Sequence, residues 1–154
     1  MTTISPLKSG DWLLSRSAEE TMKLGNALGR TLRKGDVVSL YGPIGGGKTT
    51  FVKGLAEGLG IKIDASEVAS PTFVLIREYP CRIPLRHIDL YRLDRVEGVD
   101  RRLVEECFDA PGVTVIEWAE KAEAFLPDER VEVRFRHETE TSRGIRFLVH
   151  GKNR

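Results

Sequence analysis

At 154 residues, the chain is long enough to bury most of its unfolded surface in one domain, and we expect residues 1–154 to form a single domain. Its 40% hydrophobic and 31% charged residues are typical of a globular protein, which excludes a disordered or fibrous chain. The 24 basic and 23 acidic side chains leave a net charge of +1. This balance excludes nucleic-acid binding driven by bulk charge but leaves a local basic patch open.

Cysteine content and hydropathy bear on the compartment. Cys81 and Cys107 match no metal-ligand spacing and are too few for a disulfide framework. The alternatives are one disulfide between them or buried thiols in a reducing environment, and we favour the thiols. No stretch approaches the roughly 20 apolar residues of a membrane span, and residues 1–14 lack the pattern of a signal peptide. We therefore expect a cytoplasmic protein with no membrane partner.

The first half of the chain predicts two helices and a buried strand. Ser17 begins a capping-box pattern and introduces a helix that extends to about Arg33. The apolar run at residues 37–41 is typical of a strand covered on both faces of a parallel sheet. A glycine-rich loop follows it directly, and an amphipathic helix is predicted over residues 48–59.

The second half predicts mostly strands, separated by short helices. The two strands nearest its start are joined by a short connection at residues 79–82, which predicts a hairpin. The last two alternate apolar and polar residues, as half-buried antiparallel strands do. The predicted strands are 72–76, 83–90, 113–116, 131–135 and 145–149, with helical stretches at 99–108 and 119–125.

Residues 42–49 spell G-x-x-x-x-G-K-[ST], the pattern of a phosphate-binding loop. Glycines let backbone N–H groups turn toward phosphate oxygens, and the following helix points its positive end at the same anion. Lys48 is expected to bridge the outer phosphates, and the Thr49 hydroxyl to ligate Mg²⁺. We therefore predict a P-loop NTPase-like, three-layer α/β domain with a mixed, partly antiparallel sheet. The expected nucleotide-binding residues of the loop are Gly42, Gly45, Gly46, Gly47, Lys48, Thr49 and Thr50.

Two acidic residues are candidates for the magnesium side of this site. Asp89 and Glu117 each end an apolar strand-like run. Either could instead be a surface carboxylate that caps the next turn. Because a phosphate loop is present, we expect one of the two to face the metal, and Glu117 follows the cleaner apolar run.

Three further residues have a functional and a structural interpretation. Thr72 lies between the loop helix and the next strand, where a threonine can reach the γ-phosphate and Mg²⁺ as a switch residue. Ser70-Pro71-Thr72 could equally be a turn that starts a strand. His87 could be a ligand, a base or, by default, a side chain on an edge strand. Trp118 could stack on a nucleotide base or lie in the core.

The nucleotide base is predicted from the absence of a guanine-recognition motif. Asp109-Ala110-Pro111-Gly112 spells the D-x-x-G of GTPases, which we interpret as coincidence. The only asparagines are Asn26 and Asn153, and neither starts the N-K-x-D pattern that recognises guanine. The expected ligands are therefore ATP or ADP with Mg²⁺.

Taken together, four segments resemble the TsaE (YjeE) family, bacterial ATPases of tRNA threonylcarbamoyladenosine synthesis. The resemblance extends over about residues 15 to 136. The segments at residues 87–92 and 115–118 together make it far more specific than the phosphate loop alone. The segments are residues 42–50, Ser70-Pro71-Thr72-Phe73, His87-Ile88-Asp89-Leu90-Tyr91-Arg92 and Val115-Ile116-Glu117-Trp118.

The resemblance implies an ATPase, weak alone, that acts with the threonylcarbamoyl transferase subunit and its companion subunit. These proteins modify adenosine 37 of tRNA, and contact of this chain with tRNA is expected to be indirect. Carried over by position, Thr72 would be the switch threonine, Asp89 the Walker-B-like acid and Glu117 a second acid toward metal or water. Lys48 and Thr49 would bind phosphate and metal, and Trp118 would lie near the nucleotide.

An arginine-rich stretch departs from the family pattern and motivates a rival hypothesis. Arg95, Arg101 and Arg102 could belong to a basic lid that closes over phosphates, as in a small-molecule kinase. The alternative is a solvated helix face, which we favour. A nucleotide-gated binding module without useful turnover is a third possibility.

Overall fold

The computed structural model describes residues 10–43, 45, 47–68 and 75–151. In this part of the chain, one seven-stranded sheet has the order β1-β7-β6-β2-β5-β4-β3. The strands are β1 (Trp12–Ser15), β2 (Val37–Tyr41), β3 (Ile76–Tyr79), β4 (Leu85–Asp89), β5 (Val113–Glu117), β6 (Arg130–His137) and β7 (Arg143–His150). The helices are α1 (Ala18–Gly29), α2 (Lys48–Gly58) and α3 (Gly98–Asp109), with 3-10 segments at Ala65–Glu67 and Ala119–Phe125.

The centre of the sheet is parallel and its edges are antiparallel. Strand β2 runs parallel to β5 and β6, and β5 runs parallel to β4. Strand β3 pairs antiparallel with β4, and β7 pairs antiparallel with both β6 and β1. This confirms the predicted mixed sheet. It also brings the carboxyl ends of β2, β5 and β4 to one edge, where open α/β sheets bind ligands.

Helices cover both faces of the central strands. On one face, α1 and α2 bury a core that includes Leu28, Phe51, Leu55 and Val115. On the other face, Ile88 and Ile116 belong to a second cluster, formed with residues of α3 and the segment Ala119–Phe125. Because β2 and β5 are buried on both faces, their sequences are nearly continuous apolar runs. The predicted three-layer α/β domain is therefore confirmed.

Glycines bring α1 and α2 into backbone contact. A Cβ at Gly25 would lie 2.2 Å from the Phe51 carbonyl oxygen, and one at Gly54 would lie 2.0 Å from that of Met22. Gly29 and Gly58 show the same close approach, each one helical turn further along. The two helices therefore lie closer than side chains would allow, which fixes α2 and the loop before it against α1.

Most predicted elements are confirmed, with shifted ends. The Ser17 cap is present, since its Oγ accepts from the Glu20 N–H at 3.1 Å, but α1 ends at Gly29 rather than near Arg33. Strand β3 lies at Ile76–Tyr79, later than the predicted 72–76, and residues 72–74 of that prediction lie outside the described residues. The short edge strand β1 was not predicted.

Cys81 and Cys107 are free, buried thiols. None of the helices that the structure describes is long and apolar enough to cross a membrane.

Candidate functional site

A cavity of about 410 Å³ lies at the edge of the sheet where β2, β5 and β4 end. It gathers most of the residues that the sequence predicted for nucleotide and metal binding. Gly42 is not among its lining residues. Gly46 and Thr72 lie outside the described residues. The cavity is lined by Gly45, Gly47, Lys48, Thr49, Thr50, Asp89, Tyr91, Glu117, Trp118 and Arg143.

The loop between β2 and α2 depends on glycine at specific positions. Gly45 and Gly47 have φ of 78° and 95°, a region that side chains disfavour. A Cβ at Gly42 would lie 2.8 Å from the Phe135 carbonyl oxygen on β6. Gly47 is the N-cap of α2 and provides no side-chain cap. The first backbone N–H groups of α2 are therefore left without helical partners at the cavity.

Lys48 is held at the inner end of this loop. Its Nζ donates to the carbonyl oxygens of Gly42 at 2.5 Å and Pro43 at 3.3 Å. Burial lowers the pKa of Lys48, whereas the negative charges of Glu117, Glu120 and Asp89 raise it. The ammonium is thus positioned inside the cavity, and an anionic ligand would add to the carboxylates that favour its charge.

Asp89 and Glu117 are directly opposite each other on β4 and β5, and both line the cavity. An Asp89 oxygen accepts from the Tyr91 backbone N–H at 2.9 Å. Two carboxylates and the Thr49 hydroxyl are hard oxygen donors of the kind that Mg²⁺ prefers, usually with phosphate oxygens and water completing the coordination. The residues present therefore fit a magnesium site, with neither acid favoured over the other by position.

His87 is a buried partner of Glu117, so the default prediction of an edge-strand side chain is wrong. Strand β4 lies between β5 and β3, and the His87 side chain is fully buried. Its Nε2 lies 2.5 Å from Glu117 Oε2. Sequence spacing could not reveal this contact, because the two residues are on different strands and are not register partners.

Trp118 forms part of the cavity wall rather than lying wholly in the core. It is the one non-glycine residue in the described ranges with positive φ, at 59°. Its ring lies 4.5 Å from Lys48 Nζ and 5.2 Å from the Tyr91 ring. Tyr91 is 48% exposed and was not predicted as a site residue, although its place two residues after Asp89 was a usable signal.

The arginines of the proposed kinase lid lie away from the cavity. Arg101 pairs with Glu105 at 3.5 Å and lies 4.6 Å from the Phe125 ring. Neither Arg95 nor Arg102 lines the cavity, and both are exposed. The arginine that does line it is Arg143 at the start of β7, which the sequence did not single out. The solvated helix face is therefore the better interpretation of the arginine-rich stretch.

The D-x-x-G sequence also lies away from the cavity. Asp109 ends α3, and Gly112 immediately precedes β5, at the edge of the sheet opposite the carboxyl ends. A Cβ at Gly112 would lie 2.4 Å from the Pro84 carbonyl oxygen, so this glycine has a packing role.

Fold and cavity together define an α/β protein with a phosphate-loop pattern at the carboxyl edge of a mixed sheet. Residues 15–145 match the family described as "Threonylcarbamoyl adenosine biosynthesis protein TsaE". The chain belongs to this TsaE family, which confirms the resemblance of its sequence motifs.

Individual relatives support the same assignment. A Treponema pallidum protein named "tRNA threonylcarbamoyladenosine biosynthesis protein TsaE" is 45% identical over 123 residues, which span 80% of this chain and 89% of the relative. A Bacillus subtilis protein of the same name is 41% identical over 134 residues, spanning 86% and 82%. The crystal structure of Bacillus subtilis YdiB superposes with a TM-score of 0.74 at 33% identity, covering 92% of this chain and 86% of that one. The family is involved in tRNA threonylcarbamoyladenosine biosynthesis.

Proposed function

We propose that this chain binds ATP with Mg²⁺ in the cavity and hydrolyses it to reset the complex that threonylcarbamoylates adenosine 37 of tRNA. One observation carries the proposal. A single cavity joins the phosphate-loop residues Lys48 and Thr49 to the strand-end acids Asp89 and Glu117. Family membership supports the role in tRNA modification, and the residues that line the cavity support ATP binding and hydrolysis.

Phosphate binding falls to the loop and the start of α2. The uncapped N–H groups after Gly47 and the positive end of the helix favour an anion at this position. Lys48 already has its ammonium held by two backbone carbonyls. It can exchange these contacts for the β- and γ-phosphate oxygens, which a lysine at this position of the motif contacts. The loop thus already holds the ammonium close to the proposed phosphate position.

Magnesium would be held by the Thr49 hydroxyl together with Asp89, Glu117 or both. When bound, the ion offsets the charge of the phosphates and helps to orient them. Thr72 remains a prediction as a fourth ligand and switch residue. Its place in the sequence, between α2 and β3, is compatible with that role.

Hydrolysis further requires a group that orients water near the terminal phosphate. Glu117 is the candidate, because its carboxylate is buried at the cavity and His87 holds one of its oxygens. A side chain fixed in this way loses little rotamer freedom when the substrate binds. Stabilisation of transferred phosphoryl charge often requires a further cation from a partner, so slow turnover by the isolated chain is expected.

The base would lie toward the aromatic wall of Trp118 and Tyr91. Either ring can pack against a purine without selecting adenine over guanine. The preference for adenine therefore rests on the missing N-K-x-D sequence. The proposed partners are the threonylcarbamoyl transferase subunit and its companion, with tRNA contacted indirectly.

Two measurements test this proposal. ATP turnover is measured with and without the purified transferase and companion subunits, and Lys48→Ala provides the blank. We expect turnover to increase with the partners and to vanish in the variant. Modified adenosine is then measured in tRNA from a strain that lacks this gene. Unchanged modification would contradict the assignment to this pathway.

A further inference from the structure

Lys121 connects the two turns that follow the strand-end acids. It belongs to the 3-10 segment after β5, where it is partly buried and is not among the residues that line the cavity. Its Nζ reaches the turn after β4 and donates to the carbonyl oxygens of Tyr91 at 2.8 Å and Leu93 at 2.7 Å. Because both acceptors belong to the backbone, these hydrogen bonds hold the main chain of that turn in place.

The turn after β4 orients the carboxylate of Asp89. The Tyr91 backbone N–H donates to Asp89 Oδ1 at 2.9 Å, and the carbonyl of the same residue accepts from Lys121. The Leu93 N–H donates to the Leu90 carbonyl at 3.1 Å, which closes the turn. Carboxylates that bind a metal depend on such outer hydrogen bonds for their orientation. A displacement of this turn would therefore remove the donor that orients Asp89.

The turn after β5 follows Glu117 directly and contains a strained residue. Trp118 has a φ of 59°, which a bulky side chain adopts only when its surroundings enforce it. The Lys121 N–H donates to the Trp118 carbonyl at 3.0 Å, and Lys121 Nζ lies 5.8 Å from the centre of the Trp118 ring. The Leu90 N–H donates to the Glu117 carbonyl at 3.2 Å. The two acids therefore lead into turns that are joined to each other, and Lys121 contacts both turns.

We propose that Lys121 is a positioning residue for the magnesium side of the site. By holding the turns after β4 and β5 together, it keeps Asp89 and Glu117 in the arrangement that binds the metal. The inference rests on the proposed binding of ATP with Mg²⁺. Lys121 itself contacts neither nucleotide nor metal in this proposal. Because the loop carbonyls hold Lys48, nucleotide affinity in the absence of metal should not depend on Lys121.

Three variants of the full chain test this role. Lys121→Met keeps most of the length of the side chain and removes its donors, whereas Lys121→Arg keeps a charge and donors that can reach backbone carbonyls. Lys53→Met is the matched control, since Lys53 is a partly buried lysine of α2 that does not line the cavity.

Calorimetric titration of ADP, with Mg²⁺ and with EDTA, gives the first measurement. Lys121→Met is expected to raise the Kd for Mg·ADP by about tenfold, as loss of an outer partner does at metal sites. Its Kd for ADP in EDTA should equal that of the wild type. Lys121→Arg should recover most of the lost affinity, and Lys53→Met should match the wild type in both conditions.

ATP turnover with the transferase and companion subunits, measured over a range of Mg²⁺ concentrations, gives the second. Lys121→Met should need more Mg²⁺ for half-maximal turnover, and its maximal turnover should fall by about tenfold. A role in stability alone would instead lower the Tm without nucleotide and leave the Mg²⁺ dependence unchanged.

The outcomes separate this inference from the proposed function. Turnover and Mg·ADP affinity equal to the wild type in Lys121→Met would overturn the positioning role, as would an equal loss of affinity in EDTA or the same losses in Lys53→Met. Nucleotide binding and Mg²⁺-dependent turnover in the wild type would still support the proposed function in those cases. A wild type that binds no nucleotide, or whose turnover is independent of Mg²⁺, would overturn the proposed site and this inference together.

Discussion

His87 Nε2 lies 2.5 Å from Glu117 Oε2, and both side chains are buried where β4 and β5 approach the phosphate loop. This contact ties a cavity-lining acid to a group that does not itself line the cavity. The contact with His87 therefore restrains the Glu117 carboxylate, and Glu117 itself lines the cavity.

Replacing His87 with leucine removes that restraint. We expect the free energy of unfolding to fall by about 1–3 kcal/mol, because a buried carboxylate loses its donor. ATP turnover should fall by a larger factor than nucleotide affinity, since binding depends mainly on the phosphate loop. Urea unfolding and a steady-state ATPase assay give the two values.

A second histidine–carboxylate pair provides the control. His150 lies 2.9 Å from Glu132, but the His150 side chain is 38% exposed. His150→Leu should cost less than about 1 kcal/mol, because exposed pairs contribute little. If His150→Leu lost as much stability and as much turnover as His87→Leu, a positioning role for His87 would be contradicted.

Lys48→Ala should weaken nucleotide binding strongly. The ammonium is the cation that the loop holds over its own carbonyls, and its loss removes charge-assisted contacts to two phosphates. We expect the Kd for Mg·ADP to rise by about 100-fold or more, measured by calorimetric titration. Lys53→Ala, on the same helix but outside the cavity, should leave the Kd unchanged. ADP affinity retained in Lys48→Ala would place the nucleotide elsewhere.

Gly25→Ala should strongly destabilise the fold. The added methyl would lie 2.2 Å from the Phe51 carbonyl oxygen and 2.9 Å from the Leu55 nitrogen, so α1 and α2 would have to separate. Overpacking of this kind costs about 1–3 kcal/mol or more, which exceeds alanine's gain in helix propensity. Lys23→Ala, on the exposed side of α1, should be nearly neutral in the same denaturation experiment. Stability equal to wild type in Gly25→Ala would show that the helices are not in backbone contact.

Stability should fall at alkaline pH partly through Cys81. Burial raises the pKa of this thiol from 9.0 to about 11. Between these values the unfolded thiol has lost its proton and the folded one has kept it, so the free energy of unfolding decreases as pH rises. The loss is on the order of 2 kcal/mol across the window. This loss of stability should be complete only above the pKa of the Cys81 thiol in the folded protein.

Cys81→Ala isolates this contribution from other groups that titrate in the same range. Its unfolding free energy is lower at every pH, because packing is lost, but it should decline less steeply than the wild type between about pH 9 and pH 11. Parallel declines in the two proteins would show that the Cys81 thiol titrates as it does in the unfolded chain.

Local signals in the sequence were enough to predict the loop and its neighbouring elements. The buried run of β2, the glycines and the apolar face of α2 are adjacent in sequence, so their structure follows from short-range geometry. The two acids were also predictable, because the ends of parallel strands meet at one edge of the sheet.

Features that depend on tertiary pairing escaped prediction. The His87–Glu117 contact joins residues 30 positions apart. Arg143 reaches the loop only because β7 turns back along β6. The edge strand β1 has only four residues, and its pairing with β7 is decided by that distant strand. In each case the sequence shows the residues themselves but not the distant strand or side chain that they contact.

The most direct test of the central claim is ATP turnover by Glu117→Gln in the presence of the transferase and companion subunits. Glutamine keeps the size of the side chain and an oxygen that can accept from His87, but it removes the carboxylate charge. We expect turnover to fall by about 100-fold or more while the Kd for Mg·ATP changes by less than about threefold, as for loss of a transition-state interaction. Turnover equal to the wild type would contradict the proposed role of Glu117 and the hydrolytic site built around it.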